Sequence, residues 1–410
     1  MSLQERYDIV ISGGGFAGMS LAIALAQAGI KTAVIEKTTI SAQLEPAFDG
    51  RVCAIALGSK YVLDNIGVWK GMQPHAEPIR DIRVSDGDTS CFLHYDHKDV
   101  AERTGGEPFG FIVENRYMRQ ALAARAHETQ NLTLLENDYV QSFSADEACV
   151  SLQTAQGKSL EVKLLIGADG KNSAIRKMAG IKEVHWGYKQ VAIVCTIAHE
   201  KPHNGVAQER FLPAGPFAAL PMTDNRSSLV WVEPEDRVGI YLKLSEDEFV
   251  QEIEERIGGY LGKIRLEGRR FSYPLSLMHA KEYVSGRVVL IGDAAHAMHP
   301  LAGQGINLGF RDVAVLSELL INQHKAVGDL GAADILRHYQ RWRRFDNVTM
   351  LAATDIFNRL FSNNIISLKL ARGLGLWAVN QVRPAKRFFM SHAMGLVGDL
   401  PAMIKNPRNS

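Results

Sequence analysis

The sequence has 410 residues, of which 46% are apolar and 22% are charged, and its formal net charge is +1. This is typical of a globular enzyme with two domains, or with one large domain that carries an insertion. The near-zero charge argues against nucleic-acid binding, the four scattered cysteines form neither a disulfide framework nor a zinc site, and no apolar run is long enough to cross a bilayer. Because an apolar strand begins almost at once, we expect no signal peptide and a cytoplasmic location.

Hydrophobic periodicity and turn residues predict the elements of the first half of the chain. The first elements are a buried strand at 7–12, an apolar helix from Met19 to Ala28 that ends at Gly29, and a strand at 31–36. A helix over 51–72 with a break at Gly67 and a loop-rich stretch at 73–110 follow. The next elements are an amphipathic helix at 115–129, short strands over 132–164 and a buried strand at 164–168. The first strand, helix and strand form a βαβ unit.

The second half of the chain first shows short β-rich runs and then returns to the buried strands and helices of the first half. Between 185 and 275, short β-rich runs alternate with turn residues, which predicts an antiparallel sheet in an inserted domain. These runs are 190–197, 227–233 and 238–243. Residues 286–292 predict another buried strand, a long helix is expected from about Gly305, and the last third of the chain is predicted to be helical.

A glycine motif, G-x-G-x-x-G, follows the first strand. Gly13 suits the tight turn out of the strand, Gly15 lets the backbone approach a pyrophosphate, and Gly18 lets the helix pack closely on the strand. The helix N-terminus would then face the phosphates. Glu36, at the end of the second strand, suits the hydroxyls of an adenosine ribose and argues against a 2′-phosphate. The motif predicts a dinucleotide site but does not separate FAD from NAD.

A second motif, Leu164 to Arg176, carries an aspartate and a glycine at the end of a buried strand. Asp169 and Gly170 fall at the carboxyl edge, where ligands bind in open α/β sheets. Ser173 is positioned to cap the next helical turn, and Arg176 to pair with an acid or a phosphate. An ordinary strand–turn–helix explains the same residues equally well.

A third motif spans Arg287 to Gly309. Its strand ends in Gly292 and Asp293, and Asp293 suits a ribityl hydroxyl of FAD. A loop with a proline and two glycines then opens a helix, so that the backbone amides from Gly303 to Asn307 favour negative charge beside them. A reduced flavin carries such a charge on its N1–C2=O edge, and preorganised amides would stabilise it.

The three motifs, in this order and spacing, resemble those of the class A flavoprotein aromatic hydroxylases, the group of para-hydroxybenzoate hydroxylase. The resemblance covers nearly the whole chain. Further stretches are similar to the ubiquinone-biosynthesis hydroxylases: Asp49–Trp69, Val113–Leu122, Gly215–Pro221, Ser228–Trp231 and Met394–Pro401. One departure is Cys53, where a small residue such as alanine is expected.

The resemblance implies an α/β fold, with a Rossmann-like FAD-binding domain of the glutathione-reductase type, an inserted antiparallel-sheet substrate domain and a helical C-terminus. The implied boundaries are 1–75, 105–182 and 280–345 for the FAD-binding domain, 76–104 and 183–279 for the substrate domain, and 346–410 for the helical region. It also implies tight, non-covalent FAD, O₂ as co-substrate, and NAD(P)H or another donor that binds transiently.

The implied reaction is hydroxylation of the aromatic ring of a polyprenylated phenol in ubiquinone biosynthesis, through a flavin C4a-hydroperoxide. No metal and no protein nucleophile is needed, and the sequence shows no convincing general base. The expected cofactor-binding residues are Gly13, Gly15, Ala17, Gly18, Glu36, Lys37, Arg51, Asn115, Arg119, Asp169, Gly170, Gly292, Asp293, Pro300, Gly303, Gly305, Ile306 and Asn307. Pro300, Gly303 and Gly305 are the candidates that face the flavin ring.

Several alternatives stay open. His296 and His299 could suggest a metal site, but Pro300 follows directly and no third ligand is evident; a hydrogen bond from His296 near the flavin is the preferred interpretation. The competing functions are hydroxylation of a soluble phenolic or aromatic acid, and a non-catalytic flavin-binding scaffold in a quinone-biosynthesis complex.

The C-terminal region has an unusual charge pattern. Residues 356–398 contain no acid, and basic residues such as Lys386 and Arg387 alternate with aromatic ones such as Phe388 and Phe389. One interpretation is a cationic amphipathic patch that rests on the inner face of the cytoplasmic membrane and admits a prenylated substrate. The other is a set of helices that pack on the FAD domain and leave a solvated basic face.

Overall fold

The computed structural model describes residues 6–44, 50–87, 92–297, 305–361 and 382–405. The strands in these ranges are β1 (Ile9–Ser12), β2 (Thr32–Glu36), β3 (Val52–Ala56), β4 (Ala76–Ile79), β5 (Asp81–Asp86), β6 (Phe92–Asp96), β7 (Gly110–Glu114), β8 (Leu132–Glu136), β9 (Val140–Ala145), β10 (Val150–Thr154), β11 (Ser159–Val162), β12 (Leu164–Gly167), β13 (Glu183–His199), β14 (Val206–Leu212), β15 (Gly215–Met222), β16 (Arg226–Pro234), β17 (Ile264–Ala280), β18 (Val284–Ser285), β19 (Val288–Leu290) and β20 (His296–Ala297).

The α-helices in the same ranges are α1 (Phe16–Gln27), α2 (Ile40–Gln43), α3 (Leu57–Asn65), α4 (Trp69–Met72), α5 (Ala101–Thr104), α6 (Asn115–Glu128), α7 (Ala174–Met178), α8 (Glu235–Lys243), α9 (Glu246–Ile257), α10 (Gly305–Lys325), α11 (Ala333–Phe361) and α12 (Arg383–Ala393). None of these helices is apolar over a stretch long enough to cross a membrane.

A six-stranded sheet forms the centre of the nucleotide-binding part, in the order β18-β19-β12-β1-β2-β8. The strands from β19 to β8 are parallel, and Ile9 of β1 lies between Leu164 of β12 and Thr32 of β2. Each of these strands is a short apolar run because both faces of a parallel sheet are covered. Helix α1 is buried along nearly its whole length, since it packs against α6 and α10. This confirms the predicted βαβ opening.

An eight-stranded sheet forms the second part, in the order β20-β17-β13-β16-β15-β14-β5-β6. It is antiparallel apart from the β14–β5 pair. Helix α9 packs on one face through Phe249 and Ile253, which contact apolar side chains such as Trp231. The other face turns towards the small sheet β3-β7-β4. The predicted fold class is confirmed, while the exact domain boundaries stay a prediction.

Three of the sequence predictions were wrong locally. Residues 52–56, expected to be helical, form β3, because this segment pairs with β7 from Val52 opposite Glu114 to Ala56 opposite Gly110. The stretch 73–110, expected to be loop-rich, contains three strands that join sheets formed by distant residues. The run 238–243, expected to be a strand, lies in α8, which begins with two acidic residues after Pro234. In the first two cases the deciding contacts are distant in sequence.

Candidate functional site

The glycine motif lies in the turn between β1 and α1. Gly13 has φ +108°, a conformation that favours glycine, and a Cβ on it would stand 2.5 Å from the carbonyl oxygen of Ala168. A Cβ on Gly18 would overlap the carbonyl oxygen of Gly13, so the close helix–strand packing expected there is confirmed. Gly15 differs, because a Cβ on it would meet no described heavy atom within 4 Å. The backbone at Gly15 therefore borders open space where α1 begins.

A cavity of about 580 Å³ extends from this turn along the end of β2. Its lining includes Gly15, Glu36, Arg51 and Arg119. The Gly14 amide donates to Glu36 Oε2 at 2.6 Å, which fixes the carboxylate beside the glycine turn. The cavity thus combines backbone amides, a carboxylate and guanidinium groups, as the adenosine and pyrophosphate of FAD require.

Lys37, also predicted to bind the cofactor, is not among the described residues that line this cavity. Its ammonium group stands 5.5 Å from the centre of the Tyr139 ring, and the side chain is exposed. Ala17, also predicted, lines the second cavity described next.

A second cavity of about 590 Å³ continues from the first through Gly15 and Phe16. The predicted residues Ala17, Gly170, Gly292, Asp293, Gly305 and Ile306 all line it. Loss of surrounding water raises the pKa of the Asp293 carboxyl, although the side chain stays exposed to the cavity, while His296 and Lys171 act in the opposite direction. Asp293 opens onto the cavity, so its carboxyl is available to a polyol such as a ribityl chain. Pro300, Gly303 and His299 lie outside the described residues.

Asp169 holds the turn that borders this cavity. Its Oδ2 atom accepts hydrogen bonds from the amides of Ala174 at 2.7 Å and Ile175 at 3.2 Å. Ser173 Oγ accepts from the Arg176 amide, which confirms the predicted cap. The buried Asp169 Oδ1 has no hydrogen-bond partner within the described parts of the chain. This free acceptor atom is left for a bound group or water.

Arg176 is a buried structural link. It donates to the carbonyl oxygens of Ala294 and Lys171, each at 2.8 Å, and it pairs with the carboxylate of Glu183. Of the two partners predicted for it, an acid or a phosphate, the structure supplies the acid. Arg176 therefore joins the Asp169 turn to the Asp293 turn.

Asn307 and Asn115 hold backbone around the second cavity. The Asn307 side chain accepts from the Ala56 amide and donates to the Ala54 carbonyl oxygen, both at 2.9 Å, so it fastens the start of α10 to β3. Asn115 accepts a hydrogen bond from the Cys53 thiol at 2.9 Å, and its own amide donates to the Arg51 carbonyl oxygen. Cys53, the departure from the family pattern, is thereby accommodated.

A buried ionic cluster under the Asp293 turn was missed at the sequence level. Asp312 Oδ2 accepts from the Gly292 amide at 2.9 Å and lies 2.6 Å from His296 Nε2, while Asp312 Oδ1 accepts from Arg343 Nε at 2.7 Å. Burial alone would raise the pKa of Asp312, but His296 and Arg343 outweigh it and hold that pKa at about 2. His296 thus helps to fix the Asp293 turn through Asp312, which binds the Gly292 amide of that turn. A charged residue inside the apolar run 308–316 was the available signal, since buried charges are almost always paired.

A third cavity, of about 330 Å³, lies between β3 and the eight-stranded sheet. It shares Val52, Ala54, Tyr273 and Leu275 with the second cavity, so the two meet along one wall. Most of its lining is aliphatic: Val52, Ala54, Ile79, Ile82, Ala192, Val194, Ala207, Pro216, Ala218, Leu220, Val230, Val232 and Leu275. Arg51 and Asn115, predicted as cofactor ligands, also border it. The site is therefore an elongated polar cleft that ends against an apolar chamber.

The cleft fits FAD, with one end suited to adenosine, an open helix N-terminus for the pyrophosphate, and a carboxylate for the ribityl chain. The individual contacts of the predicted residues with FAD stay predictions.

Comparison with known proteins agrees with this geometry. Residues 6–347 match a family described as FAD binding domain. The chain is 47% identical to ubiquinone hydroxylase UbiL of Rhodospirillum rubrum, over 96% of this chain and 91% of that protein. It is 34% identical to the 3-demethoxyubiquinol 3-hydroxylase of Escherichia coli, over 95% and 98%. The crystal structure of p-nitrophenol 4-monooxygenase PnpA from Pseudomonas putida has the same fold, with a TM-score of 0.78 and 20% identity, over 96% and 98%.

Proposed function

The chain belongs to the family described as FAD binding domain, and from this premise we propose that it is an FAD-dependent monooxygenase that hydroxylates the aromatic ring of a polyprenylated phenol in ubiquinone biosynthesis. The observation that carries this proposal is the shared wall between the polar cleft and the apolar chamber. A ring in the chamber would lie next to the redox end of the cofactor. The names of the relatives supply the pathway, since both act on ubiquinone or its precursors.

When bound, FAD supplies the redox chemistry that activates O₂ for transfer to the ring, and NAD(P)H or another donor supplies the electrons. The protein's own residues bind the cofactor, orient the substrate ring and shield the reacting ring from water. The amide groups at the start of α1 would hold the pyrophosphate, Glu36 the ribose, and Asp293 the ribityl chain. The aliphatic side chains of the chamber exclude water from the reacting ring and position it.

Quinone analysis in a strain that lacks the gene tests the proposal. We expect the amount of ubiquinone to fall and an under-hydroxylated polyprenyl phenol to accumulate. The mass of that phenol would identify the hydroxylation step that is missing. The wild-type gene should restore ubiquinone, whereas Asp293→Ala should not. Glu255→Gln, which removes an exposed carboxylate on α9, should restore it like the wild type.

A normal quinone pool without a precursor would reject the proposed pathway. Restoration by Asp293→Ala, produced at normal abundance and without FAD, would indicate a scaffold instead of an enzyme.

We also propose that α12 makes a peripheral contact with an anionic membrane, which would deliver the prenylated substrate. Phe388 is 55% exposed and Phe389 is 37% exposed, and Arg387 lies beside them on the surface. Exposed aromatic and cationic side chains on one helix are typical of interfacial binding.

Co-sedimentation with vesicles tests this contact. We expect binding to vesicles of phosphatidylglycerol and phosphatidylcholine, weaker binding to phosphatidylcholine alone, and loss of binding in the double variant Phe388→Ser, Phe389→Ser. Phe92→Ser is the matched control, because Phe92 is 57% exposed on β6. Equal binding by the double variant would show that α12 is not the contact.

A further inference from the structure

One carboxyl group in the apolar chamber has no role in the fold described so far. Strand β14 alternates its side chains across the eight-stranded sheet. Ala207 and Phe211 face the side of the chamber and pack in an apolar cluster, so Glu209, which lies midway between them, shares their face. Arg210 points to the opposite face, where it donates to the carbonyl oxygens of Gly87 and Arg256. Glu209 therefore projects towards the chamber, and it belongs to its lining.

No counter-charge is paired with Glu209 among the described residues, although Glu209 also lines an adjoining groove with Arg83, Arg210 and Arg256. Its partners across the sheet are Val84 on β5 and Ala218 on β15, both apolar. No residue in the described ranges forms an ion pair or a hydrogen bond with its carboxyl group. Arg51 is the other charged residue among the described residues that line the chamber. Unlike Glu209, the buried Glu114 is paired with Arg226 at 2.9 Å.

Burial raises the pKa of Glu209 to about 7. An unpaired carboxyl group in such surroundings costs stability, so a structural role does not explain it. A carboxyl group with this property in a cavity is the usual mark of acid–base chemistry. At neutral pH it is present in both protonation states, which suits a group that accepts and returns a proton.

A second polar group faces the same chamber. Ser228 on β16 is fully buried, lines the chamber, and its hydroxyl has no partner among the described residues. In the register of the sheet, Glu209 pairs with Ala218 and Ala218 pairs with Val230, two residues from Ser228. The two Cα atoms are thus on the order of 10 Å apart, which leaves room for a ring between the side chains.

We propose that Glu209 is the general base of the hydroxylation and that it contacts the ring hydroxyl of the phenol directly. This inference rests on the proposed function and deepens it. The phenol O–H bond breaks, the proton moves to a Glu209 oxygen, and the electron pair enters the ring. The ortho and para carbons become nucleophilic, and one of them forms a C–O bond with one oxygen atom of O₂, which is delivered as a hydroxyl group. The O–O bond breaks, and the other oxygen atom leaves as water with the two electrons that NAD(P)H or another donor supplies. That carbon then loses its hydrogen as a proton to water, and Glu209 returns its own proton to the phenolate oxygen.

The variant Glu209→Gln keeps the size and hydrogen-bonding capacity of the side chain but cannot take up the proton. In the FAD-loaded enzyme with a polyprenyl phenol, we expect product formation to fall roughly 10²- to 10⁴-fold at pH 8. NAD(P)H would then be oxidised with release of H₂O₂ instead of product. The bound FAD and the Kd for the phenol should change little. Glu255→Gln, which removes an exposed carboxylate from α9, is the matched control.

The pH profile separates a base from a merely structural group. In the wild type, kcat/KM should rise with pH through about 7, the pKa of Glu209, and this rise should be absent in Glu209→Gln. The ionisable groups that share the chamber are Arg51 and Tyr273, and those in the adjoining groove are Arg83, His94, Arg210 and Arg256. The variant His94→Gln controls for the histidine, and it should keep the rise.

Fluorine NMR of a bound fluorophenol gives a readout that does not depend on turnover. We expect the chemical shift of the bound phenol to move towards that of phenolate in the wild type and to stay at that of neutral phenol in Glu209→Gln. A fluorophenol of lower pKa should also recover product formation in Glu209→Gln, because it ionises without a base. Equal product formation and equal pH profiles in both proteins would overturn the role of Glu209 and leave the proposed function intact. If the wild type neither binds nor hydroxylates any phenol, the proposed function itself fails.

Discussion

An alanine at position 15 adds one methyl group at the point where α1 begins. Gly15 has φ −66° and ψ −177°, a conformation that alanine adopts readily. Its Cβ would meet no described atom within 4 Å, so the fold has room for the methyl group. Glycine-to-alanine replacement stabilises by about 0.4–1 kcal/mol through the unfolded chain. Alanine is a poorer helix cap than glycine, which offsets part of this gain. The free energy of unfolding of the apoprotein should therefore change by less than about 1 kcal/mol.

FAD binding should respond differently to the same change. If the pyrophosphate lies against the Gly15 backbone, the methyl group occupies its place, and the misfit costs about 1–3 kcal/mol. That corresponds to a Kd for FAD that rises roughly 5- to 150-fold. Quenching of FAD fluorescence in a titration of apoprotein measures the Kd, and urea unfolding of the same apoprotein measures stability. An unchanged Kd would refute the placement of the pyrophosphate at Gly15. A large loss of apoprotein stability would refute the claim that the fold leaves this space open.

Three further predictions concern stability. Gly18→Ala should lower the free energy of unfolding of the apoprotein by about 1–3 kcal/mol in urea, because the new methyl group overlaps the Gly13 carbonyl oxygen; unchanged stability would contradict this close packing. Asp312→Asn should lower it by about 3–5 kcal/mol and weaken FAD binding, because it removes the buried carboxylate charge from Arg343, which keeps only the half-buried Asp346 and the amide of Asn347; a loss below about 1 kcal/mol would show that the cluster contributes little. The pKa of Glu209 is about 7 in the native protein, whereas its ordinary value is 4.5. Between these pH values the native protein therefore keeps a proton that the unfolded chain has released. As a result, the free energy of unfolding should fall by about 3 kcal/mol between pH 4.5 and pH 7. Glu209→Gln should remove this fall in urea titrations at several pH values, and an identical pH dependence in both proteins would contradict it.

The sequence was sufficient for features whose cause is local. The close packing of Gly18 on Gly13 and the cap at Ser173 each depend on residues a few positions apart, and both are present in the structure. The turn at Gly13 is present as well, although its closest contact is with the distant Ala168. Arg176 was predicted to pair with an acid or a phosphate, and in the structure it pairs with the acid Glu183.

Features that depend on distant pairing were not predictable in the same way. Residues 52–56 form a strand because β7 lies beside them, and nothing within the segment indicates that partner. Asp312 finds Arg343 and His296 only after α10, α11 and the Asp293 turn have packed together. The sequence did not indicate Glu209 as a candidate site residue, because glutamate is common in β-rich runs. Only the register of β14 in the eight-stranded sheet shows that its side chain lies on the face of the chamber.

The two hydrogen bonds from Asn307 to the backbone of β3 have a consequence for how this enzyme can change its substrate. They tie the start of α10, which borders the cofactor cleft, to the strand that carries Val52 and Ala54. Val52 and Ala54 belong to the wall that the cofactor cleft and the apolar chamber share. A mutation that enlarges the chamber at this wall would therefore also shift the backbone beside the cofactor cleft. Substrate range and redox behaviour should then be hard to alter separately by mutations in β3, whereas the far wall, on β15 and β16, offers positions where specificity can change alone.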